Sequence, residues 1–179
     1  EHAAHVLQAL KTRKWVHVER PFCCDYDQAM VLRAAAIKAG NRLLVRHNYR
    51  YEPAFLQVKE VIDSGVLGEI YDIKIRRGTY ERRDDWQTVK RCGGGTALTW
   101  GPAFLDQALD LLHAPPVKVW SDFKRVASVG DAEDFMRVIL RNMAGLTVDL
   151  EISGGRITPV PQFIVTGTKG EFTLFPGAA

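Results

Sequence analysis

Asp106 is a carboxylate set in a run of apolar residues. Phe104, Leu105, Ala108, Leu109, Leu111 and Leu112 recur around it at three- and four-residue spacings, which predicts a helix with one broad buried face. A carboxylate on such a helix can take a proton from a bound hydroxyl, or it can pair with a basic side chain. His47, in Arg46-His47-Asn48-Tyr49-Arg50, stands at a predicted strand end. A neutral imidazole there can accept a proton near neutral pH; the alternative is a structural histidine. Arg20, between Glu19 and Pro21 at another strand end, can orient an anion or a hydroxyl, or pair with a neighbouring carboxylate. A guanidinium holds its proton too tightly to shuttle it. Between Arg76 and Arg91, the residues Arg77, Arg82, Arg83 and Lys90 interleave with Tyr80 and Trp86. They read either as a ligand-facing segment or as a solvated loop offset by Glu81, Asp84 and Asp85.

These side chains need a scaffold. Ahead of Asp106 stand Gly93, Gly94 and Gly95, then Gly101-Pro102. Three glycines in a row are costly to order and mark a tight turn or a close backbone approach. Proline is favoured at a first helical position. A glycine turn is therefore expected to deliver the apolar helix. Upstream, a helix through Val6, Ala9 and Leu10 precedes a predicted buried strand, Trp15 to Val18. Asp25 with Gln28 gives a capping-box pattern opening a helix through Met30, Val31, Ala34 and Ile37, closed by Gly40. Leu43 to Val45 is the next strand. Helix, strand, helix, strand is the rhythm of a parallel α/β sheet.

Beyond residue 48 the rhythm changes. Pro53 opens a helix through Phe55, Val58, Val61 and Ile62, ending at Gly65. A strand follows with Tyr71, Ile73 and Ile75 on one face and Asp72, Lys74 and Arg76 on the other. Met136, Val138 and Leu140, then a turn at Asn142 to Gly145, then Leu146, Val148, Leu150 and Ile152 predict a hairpin with oppositely charged polar faces. Gln162 to Thr166 and Glu171 to Phe175 supply two more strands. The fold class is thus α/β plus α+β. Residues 1–48 read as the C-terminal portion of a doubly wound domain. Residues 49–179 read as a mostly antiparallel sheet domain with helices on one face.

Composition narrows the function classes. A net charge of +3 is too small and too mixed for nucleic-acid binding. No apolar run approaches the roughly 20 residues that span a bilayer, and no stretch reads as a secretory leader. The three cysteines, two of them adjacent, form neither a disulfide framework nor a zinc spacing. The expectation is a cytoplasmic protein with reduced thiols and no bound metal. Both edges of the chain predict a fragment.

The motifs also have a recognisable order. His17-Val18-Glu19-Arg20-Pro21 leads to Asn48, Arg50, Pro53 and Phe55, then Ser64-Gly65 to Ile70, the triple glycine with its helix, Gly145-Leu146-Thr147 to Ser153, and Gly167 to Phe172. Together they resemble the Gfo/Idh/MocA family of NAD(P)-dependent oxidoreductases, over nearly the whole chain. The resemblance implies a Rossmann domain followed by a sheet domain, with a sugar, inositol or related polyol as substrate. It also implies dimers or tetramers formed through the open sheet face. No G-x-G-x-x-G occurs in the sequence, so NAD or NADP is expected in the full-length protein and not on this chain alone.

By the same resemblance, Glu19, Arg20, Pro21 and Trp86 lie beside the cofactor, Arg20 standing where the family has a lysine. Gln87 replaces an arginine in the segment Asp85-Trp86-Gln87. After the glycines the family carries an aspartate and, four residues on, a histidine; here those positions are Thr99 and Ala103. Asp106 matches a family aspartate. The catalytic candidates are therefore Arg20 and Asp106, with Thr99, Ala103, His47 and Tyr80 in the substrate pocket and Asp84 within reach of it. Because three positions of the usual set have changed together, a catalytically silent relative that binds a ligand or serves assembly is the competing expectation.

Overall fold

The computed structural model of the protein describes residues 2–177; Glu1, Ala178 and Ala179, the outermost residues of the two expected domains, lie outside the described residues. The chain divides into two compact units, Glu1–His47 and Asn48–Ala179.

In the first unit, helix α1 (His2–Lys11), strand β1 (Val16–Val18), helix α2 (Tyr26–Lys38) and strand β2 (Leu43–Val45) follow one another. β1 and β2 pair in parallel, Val16 opposite Leu43 and Val18 opposite Val45. Parallel neighbours need a crossover, and α2 supplies it. Asp25 caps α2, its carboxylate accepting the Gln28 N–H at 2.8 Å. The Gln28 amide donates back to that carboxylate, and its oxygen accepts the Cys24 N–H instead of the cap's own. Val6, Leu10, Val18 and Leu32 form the core.

Two expectations fail here. Met30, Val31 and Ile37 are exposed, and α2 turns Leu32, Ala35 and Ala36 inward. The alanines let the helix sit close to its neighbours, so the buried stripe is Leu32 with small residues beside it, and Met30, Val31 and Ile37 lie off it. Trp15 is 68% exposed, which reduces the expected buried strand to Val16–Val18 with only Val18 buried.

The second unit is a sheet with helices on one face. Helix α3 (Pro53–Asp63) has proline in its first turn, where a missing N–H costs nothing, and stops before Gly65 at φ +69°. Strand β3 (Ile70–Gly78) follows. A short helix α4 (Thr96–Thr99) and helix α5 (Gly101–Leu112) precede strands β4 (Lys118–Lys124), β5 (Phe135–Arg141), β6 (Thr147–Ser153), β7 (Phe163–Gly167) and β8 (Gly170–Leu174). Among the described residues the strand order is β4-β5-β6-β3-β7-β8, with β3 parallel to β6 and every other neighbouring pair antiparallel. Phe55, Val58, Phe104, Ala108, Leu111 and Leu112 from the helices pack on Ile73, Ile75, Val148, Leu150, Phe163 and Val165 from the sheet. Each of these Val, Leu, Ile and Phe side chains stabilises the fold by about 2 kcal/mol when buried.

The opposite sheet face is polar yet partly closed. Asp149 and Glu151 are buried beneath arginine side chains. Arg137 stands opposite Glu151 in the register but reaches diagonally to Asp149, at 3.1 and 2.8 Å; Arg76 binds the same carboxylate, and Arg156 takes Glu151. Burial pushes the Asp149 carboxyl up, but hydrogen bonds from Arg137 and Arg76 outweigh it and hold the group below its ordinary value.

Three details differ from expectation. The register shifts between Ile70 and Asp72, so Tyr71 sits in a bulge and is exposed instead of joining Ile73 and Ile75. Strand β4 has no counterpart in the sequence reading. It is an edge strand with Val119, Trp120 and Phe123 all exposed, so its apolar residues do not alternate. On α5, Leu109 faces outward and Gln107 is fully buried, its amide donating to the Tyr49 carbonyl at 2.8 Å.

Candidate functional site

The triple glycine is required by what lies against it. A Cβ on Gly94 would sit 2.5 Å from the Gln87 carbonyl oxygen. Gly95 has φ +104°, and a Cβ there would sit 2.3 Å from Glu133 Oε1. The Glu133 carboxylate accepts the Ala97 N–H at 3.1 Å, and its carbonyl accepts the Thr96 N–H at 2.9 Å. The residue thus satisfies amides at the start of α4, whose own N-cap is a glycine. Thr99 closes the turn, its hydroxyl donating to the Gly95 carbonyl at 2.9 Å.

This turn forms one wall of a small polar pocket of about 70 Å³, wholly within the second unit. Thr99, Trp100, Arg77, Arg83, Glu133 and Ser153 line it. The Arg77 guanidinium lies 3.6 Å from the centre of the Trp100 ring, within range of a cation–π contact. Arg83 is held by Asp85 and Glu81. Asp134, also on the pocket, accepts the N–H groups of Val126, Ala127 and Ser128 at 2.6, 2.7 and 2.7 Å and so folds the 125–130 loop over it. Donors, acceptors and an indole in so small a space suit a ligand rich in hydroxyl groups.

The expected residues are distributed unevenly. Thr99 lines the pocket. Ala103 is 1% exposed and belongs to the core face of α5. The Asp106 carboxylate is bound by the Arg50 guanidinium at 2.5 and 2.8 Å. Tyr80 is exposed and lines a broader neighbouring basin. Trp86 is exposed on a short 3-10 turn capped by Asp85, which accepts the Gln87 N–H at 2.9 Å. The Arg83 hydrogen bond, partly opposed by burial and aided by the Gln87 N–H, holds the Asp85 carboxyl below its usual value. In the first unit Arg20 and Pro21 are half-buried, and Glu19 pairs with Arg46, whose hydrogen bond lowers its carboxyl. His47 is half-buried with an Nδ1 that has no hydrogen-bond partner among the described residues.

Arg77 belongs to the segment read as either ligand-facing or solvated, whereas Glu133, Asp134 and Ser153 were not singled out from the sequence as pocket residues. The acidic pair lies in Gly130-Asp131-Ala132-Glu133-Asp134, which has the composition of a surface turn. Only the sheet brings it to the glycine turn.

The described residues do not fit the pyrophosphate of a dinucleotide. Neither the β1–α2 nor the β2–α3 junction contains glycine, and the N-terminus of α2 is occupied by the Asp25 carboxylate. A helix end used this way repels a second anion. Among the described residues no cluster of three or more His, Cys, Asp or Glu side chains could hold a metal ion. No helix there is long and apolar enough to cross a membrane.

Residues 55–173 match the family model described as GFO/IDH/MocA C-terminal domain. An uncharacterised oxidoreductase of Schizosaccharomyces pombe is 30% identical over 182 residues, covering 97% of this chain and 49% of the relative. The scyllo-inositol 2-dehydrogenase (NADP(+)) of Bacillus subtilis is 29% identical over 178 residues, with 97% and 49% coverage. The crystal structure of an NAD-binding protein from Listeria innocua superimposes with a TM-score of 0.89 at 25% identity, covering 96% of this chain and 51% of that one. The chain spans about half the length of the curated relatives it matches.

Proposed function

Because the chain belongs to the GFO/IDH/MocA family, we propose that it supplies the substrate-binding part of an NAD(P)-dependent oxidoreductase. That enzyme moves hydride between the nicotinamide and a hydroxyl carbon, or the matching ketone, of a sugar, inositol or related polyol. The observation that carries this reading is the polar pocket walled by Thr99 and Trp100 at the triple-glycine turn. Thr99 and Trp100 position the substrate there. The cytoplasm is the setting, and a homodimer or homotetramer forms through the sheet face that the helices leave uncovered. In support, an inositol dehydrogenase that uses NADP is among the relatives. The test is to assay the full-length protein with NAD⁺ and NADP⁺ against inositols and aldoses, following nicotinamide absorbance. Failure both to turn over and to bind a dinucleotide would overturn the reading.

A second reading is favoured by Ala103 and Asp106. Alanine carries no acid–base group, and the Asp106 carboxylate is held by Arg50, so neither position stands ready to move a proton. On this reading the protein is a silent relative that binds a polyol or dinucleotide without turning it over. Calorimetric binding with no turnover in the same assay distinguishes the two.

A further inference from the structure

Beside the polar pocket lies a wider basin bordered by Tyr80, Arg82, Arg125, Val126, Ser128 and Gly155. The two depressions share Ser128 and so adjoin one another. Their charges differ. The pocket sets Arg77 and Arg83 against Glu81, Glu133 and Asp134, and Arg83 is already neutralised. The basin is bordered by two guanidinium groups and, among the described residues, by no carboxylate.

Both arginines retain donors. Arg82 is exposed and pairs with no carboxylate among the described residues. Arg125 donates through Nη1 to the Gly130 carbonyl at 2.7 Å, which fixes it to its loop. A guanidinium has five N–H donors, so the rest of that fork remains for a ligand.

The walls are also held in place. Tyr80 bridges antiparallel to Gly155, and Asp134 gathers the amides of Val126, Ala127 and Ser128 from behind. Those amides are therefore spent, and the side chains carry the basin's charge. Pre-ordered walls lower the entropy lost on binding.

We propose that this basin is an anion subsite, taking a phosphoryl or carboxyl group carried by a ligand whose hydroxyl-bearing body occupies the adjoining pocket. Arginine forks match the oxygens of both groups, and Tyr80 adds a phenol at the rim. The ligand class is then a sugar or polyol phosphate, or a sugar acid, in place of a neutral polyol. Where the ligand's body sits rests on the function proposed above; the anion subsite does not.

The experiment is calorimetric titration of the protein with inorganic phosphate and, separately, with acetate. It is repeated for Arg82→Gln and for Arg82→Gln/Arg125→Lys, with circular dichroism confirming the fold. Saturable binding of at least one anion, weakened roughly tenfold by Arg82→Gln as expected for one lost charge-assisted contact, supports the proposal. The tighter anion identifies the group, phosphoryl or carboxyl. Absence of saturable binding by either anion overturns it, and so does binding that both variants leave unchanged. Turnover of a neutral polyol without anion binding would remove the subsite while leaving the dehydrogenase reading intact.

Discussion

The carboxylate of Asp106 on α5 and the guanidinium of Arg50 meet in a two-point ion pair, Nε to Oδ2 at 2.5 Å and Nη2 to Oδ1 at 2.8 Å. Donating to the Asp106 carboxylate raises the Arg50 pKa above its ordinary value. Arg50 comes from the 3-10 turn Asn48–Tyr51 that leads into α3, so the pair ties that turn to α5. A double-mutant cycle of Arg50→Gln and Asp106→Asn by urea denaturation should give a coupling of about 1 kcal/mol, modest because the arginine is half-exposed. Zero coupling would return Asp106 to the pool of free acid–base groups.

Restoring the family's histidine should be costly. Ala103 is packed in the core, so Ala103→His forces a larger polar ring among apolar side chains and should destabilise by roughly 2–3 kcal/mol. Thr99→Asp faces the pocket and loses one hydroxyl bond to Gly95, a cost of about 1 kcal/mol. Thermal denaturation of the two single variants checks this. Equal tolerance of both would mean that the core face of α5 is more open than its 1% exposure at Ala103 indicates.

Gly94 of the turn is not equivalent to Gly65 at the end of α3. Gly94→Ala drives a methyl group into the Gln87 carbonyl, which is backbone and cannot rotate away. It should cost about 1–3 kcal/mol. Gly65→Ala meets open space and only the strain of its positive φ, about 1 kcal/mol. The comparison is read from urea midpoints, and the reverse order would show that the turn rearranges freely.

Acid should weaken the sheet through Asp149. Its folded carboxyl lies below the unfolded value of about 3.9. The stabilisation is therefore complete above that value and lost as pH falls through the lower, folded one. Asp149→Asn should cost roughly 3 kcal/mol at neutral pH, because Arg76 and Arg137 lose their buried partner. The gap between variant and wild type should narrow below about pH 4. A gap independent of pH would rule out the carboxylate as its source.

Much of this architecture was legible from periodicity. The β5–β6 hairpin and the proline-led α3 and α5 were visible because one face of each is apolar and the other is not. β4 was not, since both faces of an edge strand can stay exposed and its Val119, Trp120 and Phe123 follow no period. Tyr71 was misplaced for a related reason: alternation assumes an unbroken ladder, and the bulge breaks it. The site was less legible than the fold. Thr99 was found through the family resemblance, by its offset from the glycines. Glu133 comes to the pocket through strand order, which no local pattern encodes.

That strand order also governs how the second unit comes together. β3 lies between β6 and β7, so Ile73 pairs with Val148 on one side and Val165 on the other. Both partners are synthesised long after β3 leaves the ribosome. The β5–β6 and β7–β8 hairpins can close locally, whereas β3 must wait for two distant loop closures, the slow step in sheets dominated by non-local pairing. Until then the segment with Ile73 and Ile75 lacks both strand partners, and an apolar segment without partners is prone to wrong association. The centre of the finished sheet is thus the last part of the unit to be protected during biosynthesis.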